Sequence, residues 1–315
     1  MVEAKHQWKA WLYLSPALIL ILIFTVWPII NTVRIAFLEG YDSMTALGGA
    51  SFEFGFQNFI DVVKMPEFLT CLKNTVLLCV ITVPLSTLIA LLIAVCLNSI
   101  KFLNKTLQTI YFLPYVTNSI AIGMVFYQMF NVINASAMGG PREDFLVIHG
   151  IVNHVFKFLN IKPINWINVG SSYGANLATM VVYIVWNALP FKILILLGGL
   201  QSVNKQYYDA AKIDGTSRAR TLWRITVPLL SPMIVYVVIT GFIGGFKEYT
   251  SIVGIFGDNM GPAGNAGAMN TMVGLIYNFI SANQGKASAG ALILFAIIFV
   301  VTLINLAISK RNTHY

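Results

Sequence analysis

The chain has 315 residues, of which 57% are hydrophobic and 10% charged, and its formal net charge is +8. A soluble globular domain has roughly half of its residues apolar and about a quarter charged, so this composition excludes that class. A basic balance also occurs in nucleic-acid-binding proteins, but in a membrane protein it commonly comes from Lys and Arg on cytoplasmic loops. We therefore expect an all-α membrane protein that contacts the lipid bilayer and no nucleic acid.

Six apolar segments are long enough to cross a bilayer, whose core needs about 20 helical residues. The first follows a short basic N-terminus with Lys5 and Lys9, and it contains Pro28, which predicts a kink. The six predicted spans are approximately residues 11–37, 71–97, 107–130, 173–200, 229–256 and 287–309.

The connections and the cysteines give three further expectations. Phe145 to Leu159 alternates apolar and polar residues at helical spacing, which predicts an amphipathic helix at the outer surface. The stretch from Gly257 to Gly267 is rich in Gly and Pro and predicts a loop. The three cysteines lack metal-ligand spacing, and we interpret them as buried thiols outside any disulfide. They are Cys71, Cys79 and Cys96.

The densest charge in the chain lies at residues 207–228, between the fourth and fifth spans. Asp209 precedes good helix formers, and an acid suits a helix N-terminus. Gly215 favours a C-cap or a sharp turn, and Thr216-Ser217 can cap a second helix. These residues predict a helix–turn–helix elbow, against the simpler interpretation of an ordinary basic loop.

Loop charges orient the chain. Six spans place both termini on one side, and that side, with the elbow, carries eleven basic and three acidic residues. The opposite loops carry four basic and eight acidic residues. Because cytoplasmic loops are enriched in Lys and Arg, the termini and the elbow are expected in the cytoplasm.

Polar and small residues recur at helical spacing inside the spans, where such groups usually face a bundle interior or a wet cavity. Two interpretations stay open: a pathway lining that suits a sugar, or close helix packing through small residues. The groups that share a predicted helix face are Tyr115 with Ser119, Asn187 with Phe191, and Gly241 and Gly245 with Glu248.

Lys247 and Glu248 are adjacent charges in an apolar run. Adjacent helical residues point in different directions, so the two need not pair, and Lys192 on the fourth span is a possible partner for Glu248. The sequence contains no phosphate-binding loop, metal-ligand cluster or nucleophile elbow, so no catalysis and no cofactor are expected in this chain. Uphill transport would then take its energy from elsewhere.

The elbow resembles the EAA motif of ABC-importer permeases. It reads Asp209-Ala-Ala, three residues, Gly215, nine residues, then Ile225-Thr-Val-Pro228, with Gly198-Gly-Leu-Gln-Ser before it and Leu229-Leu-Ser-Pro232 after it. The resemblance extends over nearly the whole chain to the MalF-like subunits of carbohydrate importers, which share a start like Leu14-Ser-Pro-Ala17 and a central Phe112-Leu-Pro-Tyr115.

The resemblance implies a type I importer (MetI-like) permease fold with six transmembrane helices. It implies residues 1–70 as an N-terminal span with an outer loop, 71–309 as the core with the coupling elbow at 201–228, and 310–315 as a cytoplasmic tail. The implied partners are a second, MalG-like permease, two ATPase subunits that bind ATP and Mg²⁺, and an extracytoplasmic sugar-binding protein. The outer loop from Glu39 to Phe68 is too short to hold the extra domain of some enteric maltose permeases.

Two sets of site residues follow from the resemblance. Asp209, Thr216 and Val227 depart from the usual Glu, Ala and Leu of the motif, and the acid is one methylene short. The implied ATPase-coupling residues are Tyr208, Asp209, Ala210, Ala211, Asp214, Gly215 and Arg218. The implied substrate-binding residues are Tyr115, Ser119, Asn187, Ala188, Phe191, Gly241, Gly245 and Glu248.

The leading hypothesis is a non-catalytic permease subunit for a sugar, with an oligosaccharide as the expected cargo. Glycerol phosphate or a polyol is the alternative within the family, since Lys192 and Lys247 leave an anionic cargo open. An ion-coupled secondary transporter is the alternative of a different class. It predicts inverted repeats or an intramembrane carboxylate relay, and the sequence shows neither.

Overall fold

The computed structural model describes residues 7–100, 104–134 and 147–312. The predicted N-terminal basic residue Lys5 and residues 313–315 of the predicted tail lie outside these ranges. The chain divides into two compact units, Met1–Phe68 with Leu275–Ala296, and Leu69–Gly274 with Ile297–Tyr315. The domain boundaries at 70 and 309 stay a prediction.

The described part of the chain has four helices that are long and apolar enough to span a membrane, and up to six spans when each bent helix pair is counted as one. Two pairs are bent, by 97° between Thr106–Val116 and Ser119–Phe130 and by 71° between Arg218–Leu229 and Ser231–Phe246. The helices that are long and apolar enough to cross a bilayer unbroken are Trp8–Ala36, Pro66–Ser99, Tyr173–Ser202 and Gln284–Ser309.

The first unit begins with a span that contains a π-helical turn before Pro28, and the kink predicted at Pro28 stays a prediction. Pro28 has no N–H to donate, and the π-helical turn Leu22–Val26 ends two residues before it. A π-bulge is one of the few ways in which a helix accommodates a residue that lacks a backbone N–H. The helices of this segment are α1 (Gln7–Ile21), α2 (Trp27–Ala36), α3 (Ser43–Leu47) and α4 (Gln57–Lys64).

Polar contacts fasten the connection between the first and second spans. Asn58 is buried and donates from Nδ2 to the carbonyls of Ala36 and Leu38, at 3.1 and 2.8 Å. Asp61 pairs with Lys286 at 2.9 Å. The hydrogen bond from Lys286, followed by one from Gln57, lowers the pKa of the Asp61 carboxyl below its usual value.

The remaining elements follow in chain order, and a short antiparallel pair of strands is their only sheet within the described ranges. Val132 pairs with His149 in that sheet. The elements are α5 (Pro66–Ser99), α6 (Asn104–Val116), α7 (Ser119–Phe130), β1 (Val132–Asn134), β2 (Val147–His149), α8 (Ile151–Phe158), α9 (Tyr173–Ser202), α10 (Lys205–Ile213), α11 (Arg218–Thr221), α12 (Val227–Leu229), α13 (Ser231–Phe246), α14 (Thr250–Phe256), α15 (Met272–Ile280) and α16 (Gln284–Asn312).

The third span is broken, which the sequence did not predict. The chain leaves helical geometry at Thr117 and Asn118, and the Asn118 side chain accepts from the N–H groups of Ile120 and Ala121. A side chain that accepts these free N–H groups caps the start of α7 and stabilises a new helix direction. Tyr115 and Ser119 lie on opposite sides of the break, so the prediction that they share one helix face is wrong.

The fifth span is also broken, at Lys247–Tyr249, whereas a continuous span to Phe256 was predicted. Glu248 Oε1 accepts from the N–H groups of Tyr249 and Ser251, both at 3.1 Å, at the start of α14. The Glu248 carbonyl accepts from the Thr271 hydroxyl at 2.8 Å. These bonds satisfy the backbone groups that the break frees.

Two smaller expectations need correction. The predicted amphipathic helix 145–159 is helical over Ile151–Phe158, because β2 ends at His149 and Gly150 is the N-cap; residues 145 and 146 lie outside the described ranges. None of the three cysteines forms a disulfide, but Cys96 is exposed, so its interpretation as a buried thiol is wrong.

The predicted loop 257–267 is a loop apart from one short 3₁₀ turn at Gly257–Asn259, and its far end folds back into the core of the second unit. Met260 in this loop and Met269, two residues after it, are buried in an apolar cluster that includes Phe126 and Tyr183. The loop therefore packs as part of the helical core.

Candidate functional site

A cavity of about 330 Å³ lies among the spans of the second unit. Four elements supply nearly all of its wall: α5, the end of α6, the middle of α9, and α13 with the break after it. The lining residues are Thr82, Val83, Ser86, Tyr115, Ile184, Asn187, Ala188, Phe191, Lys192, Val237, Thr240, Gly241, Gly244, Gly245 and Glu248.

Prolines and two helix ends lie close to this cavity. Pro84, Pro114 and Pro190 lie inside α5, α6 and α9 respectively, each next to lining residues. Proline cannot donate a backbone hydrogen bond, although α5 and α9 continue through it. α6 ends at Val116 and α13 at Phe246, and transporters commonly place their binding sites where a membrane helix is interrupted beside a cavity.

An aromatic pair forms one side of the cavity. The rings of Tyr115 and Phe191 are stacked, with centroids 5.9 Å apart and planes 19° apart. Asn187 and Ala188 lie one helical turn before Phe191 on α9 and line the same cavity. Aromatic faces beside hydrogen-bonding groups suit a sugar, which has apolar ring faces and many hydroxyls.

Lys192 places a buried cation in the wall. It is 4% exposed, and its Nζ donates to Ser86 Oγ at 2.7 Å, Thr87 Oγ1 at 3.0 Å and the Val83 carbonyl at 3.2 Å. Glu248 lines the same cavity, but the two charges form no ion pair, so the predicted partnership of Lys192 with Glu248 is wrong. Across the described ranges, no three His, Cys, Asp or Glu side chains lie close enough together to hold a metal ion.

Seven of the eight predicted substrate-binding residues line this cavity, and Ser119 does not. Ser119 begins α7, and its carbonyl accepts a hydrogen bond from the Tyr183 hydroxyl, which fixes it in the helix packing. The seven residues that the structure brings together are Tyr115, Asn187, Ala188, Phe191, Gly241, Gly245 and Glu248.

Sequence reasoning missed the contribution of α5 to the wall. Thr82 and Ser86 are four residues apart in α5 and both line the cavity. The signal that could have found them is this spacing, which puts two hydroxyls on one helix face.

Two glycines of α13 allow close helix packing, and a third lies at an open position. A Cβ on Gly245 would lie 2.8 Å from Cys79 Sγ, and one on Gly241 would lie 3.0 Å from Val83 Cγ1, so both let α13 approach α5. A Cβ on Gly244 would have no neighbour within 4 Å, so Gly244 is the open position on this helix. Close packing therefore explains Gly241 and Gly245, although both also line the cavity.

The elbow has the predicted helix–turn–helix form. Gly215 has φ of +65°, a left-handed conformation that glycine adopts without strain, and it follows α10. Ser217 accepts from the Arg220 N–H and caps α11. Asn204 caps α10, accepting from the Gln206 N–H at 3.0 Å, so the expectation that Asp209 lies at a helix N-terminus is wrong.

The predicted coupling residues are exposed to different degrees. Ala210, Asp214, Gly215 and Arg218 are exposed, Tyr208 and Asp209 are intermediate, and Ala211 is buried against its own chain. Asp209 pairs with Lys212 at 3.4 Å on an open surface, a contact that solvent screens strongly. Asp209 therefore remains available to a partner.

Two apolar side chains of the elbow were not predicted as site residues. Tyr207 is 54% exposed and Ile213 is 87% exposed. Together with Ala210 they are spaced three residues apart along α10, so they form one exposed apolar strip on the helix. The sequence signal for this strip is that apolar residues recur every three positions along the predicted helix.

The chain is similar to known transport proteins over nearly its whole length. It is 30% identical to the arabinooligosaccharides transport system permease protein AraP of Bacillus subtilis, covering 95% of this chain and 88% of AraP. It is 26% identical to the lactose transport system permease protein LacF of Rhizobium radiobacter, covering 96% and 94%.

A solved structure shows the same fold. A chain of a bacterial ABC transporter involved in the import of the acidic polysaccharide alginate superposes with a TM-score of 0.75 at 19% identity, covering 98% of both chains. The family profile described as the inner membrane component of binding-protein-dependent transport systems matches residues 86–314. This chain belongs to that family of multi-pass inner membrane permeases.

Proposed function

We propose that this chain is the non-catalytic permease subunit of an ATP-driven importer for a sugar, with an oligosaccharide as cargo. It forms half of the translocation pathway, and both of its termini lie in the cytoplasm. The observation that carries the proposal is the cavity in a chain of this family, where the stacked Tyr115 and Phe191 rings lie beside hydrogen-bonding side chains. The sugar cargo of AraP and LacF, as their names state it, supports the same class.

Other subunits supply the remaining components of the importer. A second, MalG-like permease completes the pathway, an extracytoplasmic sugar-binding protein delivers cargo, and two ATPase subunits bind ATP and Mg²⁺. This chain then needs no cofactor of its own. Import is driven when ATP-dependent closure of the ATPase pair moves the elbow and reorients the spans as rigid bodies.

The elbow supplies the contact with one ATPase subunit. The apolar strip of Tyr207, Ala210 and Ile213 offers surface that an ATPase cleft can bury, and Asp209 offers a charge-assisted hydrogen bond. Gly215 sets the angle between the two elbow helices. Tyr208 and Ala211 act from behind this surface, since the Tyr208 hydroxyl contacts Thr226 at 3.4 Å and Ala211 is buried. Asp214 and Arg218 flank the turn.

Glycerol phosphate or a polyol is a second candidate cargo, favoured by the buried cation Lys192 in the cavity wall. An ion-coupled secondary transporter is not favoured. Its carboxylate relay would need acids free to exchange ions, whereas Glu248 accepts two backbone N–H groups.

The elbow assignment is tested by Asp209→Lys combined with Gly215→Pro. Proline fixes φ near −65°, whereas Gly215 has +65°, so the turn cannot form as it stands. We expect a complex that inserts in the membrane but whose ATP hydrolysis no longer responds to cargo-loaded binding protein. ATPase activity and cargo uptake in proteoliposomes are the measurements.

Lys205→Ala is the matched control, because Lys205 is an exposed charge on α10 at the opposite end from the turn. Normal coupled uptake by the double variant contradicts the coupling role. Absence of saccharide uptake by the unaltered complex, with its binding protein and ATP present, contradicts the sugar cargo.

A further inference from the structure

We infer that Lys192 makes this cavity selective for a sugar or polyol that carries a negatively charged group, a carboxylate or a phosphate. The inference rests on the proposed transport function and narrows its cargo. Its basis is a buried ammonium group whose hydrogen-bond acceptors are all neutral and which no side chain from residue 241 covers.

Lys192 has no ion-pair partner within the described part of the chain. Its three hydrogen-bond acceptors are two hydroxyls and one carbonyl, and no carboxylate lies within 4 Å. Hydroxyl and carbonyl dipoles solvate an ammonium group but leave its net charge in place. A cation in a poorly solvated site attracts an anion more strongly than the same cation in water does.

Gly241 leaves the ammonium uncovered on the α13 side. A Cβ at residue 241 would lie 3.2 Å from Lys192 Nζ and 3.6 Å from its Cε. A side chain at residue 241 would therefore cover the ammonium group. Because Gly241 has none, Lys192 remains part of the cavity wall, where a cargo group in the cavity can approach it.

Lys192 has a donor that it can redirect to such an oxygen. Its bond to the Val83 carbonyl is the longest of the three, at 3.2 Å. That carbonyl also accepts from the Thr87 hydroxyl at 2.7 Å, so it keeps a partner when the lysine turns away. Exchanging a neutral acceptor for an anionic one strengthens the hydrogen bond.

Glu248 lies on the same wall but forms no ion pair with Lys192. Its Oε1 is held by two backbone N–H groups at the start of α14, where the helix dipole favours negative charge. Lys247 is exposed and does not line the cavity. The cavity therefore offers a cation for an anionic group at Lys192 and an acceptor for hydroxyls at Glu248, with the Tyr115 and Phe191 rings beside them.

The test uses a cysteine at Gly244, the open lining position, in the assembled complex with the native cysteines replaced by alanine. The rates at which a negatively and a positively charged methanethiosulfonate reagent modify Cys at 244 report the local potential without any knowledge of the cargo. We expect the anionic-to-cationic rate ratio to fall by about tenfold or more in Lys192→Gln, since a unit charge inside a protein acts strongly over this range. Lys192→Arg should keep the ratio, and Lys247→Gln, which removes a nearby charge outside the cavity, should change it by less than about twofold.

Protection against the reagent gives the ligand chemistry. Added D-glucuronate and D-glucose 6-phosphate should slow the modification in the Lys192 protein, D-glucose at the same concentration should not, and the comparison of the two anions separates carboxylate from phosphate. A rate ratio that Lys192→Gln leaves unchanged overturns the inference, and so does protection by glucuronate and glucose 6-phosphate no greater than that by glucose. If Lys192→Gln does not assemble, the protection measured in the Lys192 protein decides alone. Because labelling is measured instead of uptake, failure here is distinct from failure of the transport proposal.

Discussion

Gly123 of α7 and Gly254 of α14 meet backbone to backbone. A Cβ added to Gly123 would lie 2.5 Å from the Cα of Gly254, closer than any real Cβ contact. Both helices follow a break in a span, at Thr117–Asn118 and at Lys247–Tyr249. The contact therefore joins the two helices that follow these breaks. One break comes two residues after the lining residue Tyr115, and the other contains the lining residue Glu248.

Gly123→Ala is expected to destabilise the protein, because the methyl group meets backbone atoms that cannot turn aside. Overpacking of this kind costs typically about 1–3 kcal/mol. Thermal unfolding of the purified complex in detergent measures it. Gly198→Ala is the control, since Gly198 is also helical but a Cβ there has no neighbour within 4 Å. Equal melting temperatures for the two variants contradict the close contact.

Asn74→Ala should release the loop that follows α14. Asn74 is fully buried; its Nδ2 donates to the carbonyls of Ala268 and Asn270, at 3.0 and 2.8 Å, and its Oδ1 accepts from the Tyr173 hydroxyl at 2.7 Å. Removing one partner leaves buried groups unsatisfied, at about 1–3 kcal/mol each. We expect a lower melting temperature and faster protease cleavage within 257–271.

Asn305→Ala is the comparison for Asn74→Ala. The Asn305 amide donates to the Val301 carbonyl, one turn back in its own helix, so its loss leaves no loop unanchored. Cleavage of 257–271 at the native rate in Asn74→Ala would show that other contacts hold the loop.

Tyr115→Ala and Ser119→Ala should differ in their effect on transport. Tyr115 lines the cavity and stacks on Phe191, whereas Ser119 lies beyond the break and outside the cavity wall. Loss of a stacked ring is worth about 0.5–1.5 kcal/mol, so Tyr115→Ala should raise the cargo concentration for half-maximal uptake roughly three- to tenfold. Ser119→Ala should leave it nearly unchanged. Uptake by reconstituted complexes measures both, and equal effects would place Ser119 in the site after all.

The elbow was predictable because its information is local. Gly215 sets a left-handed turn, and Ser217 caps the helix that follows it, through contacts a few residues apart in the chain. Asp209 shows the limit of such reasoning. It was expected at a helix N-terminus, but Asn204, five residues earlier, provides the cap.

The breaks in the third and fifth spans were not predictable from hydropathy. Hydropathy reports the average apolar character of a segment, and both segments are apolar on average although polar residues lie at the breaks. Asn118 and Glu248 accept hydrogen bonds from backbone N–H groups that are free only because the helix is broken beside them, so their capping roles depend on the break itself. Ser119 was wrongly predicted to line the cavity for the same reason, since it was placed on one helix face with Tyr115 although the helix breaks between them.

By itself the sequence determined the membrane class, the six spans and the position of the elbow, because composition, segment length and turn residues act within one stretch of chain. The tertiary structure decided what the sequence did not: it brought Thr82 and Ser86 of α5 into the cavity wall and left Ser119 out of it. Lys192 was placed near Glu248 by chemistry, but packing put its ammonium group against Ser86 and Thr87, more than 100 residues away. A buried charge takes the acceptors that the fold brings within reach, and those acceptors depend on which helices pack together.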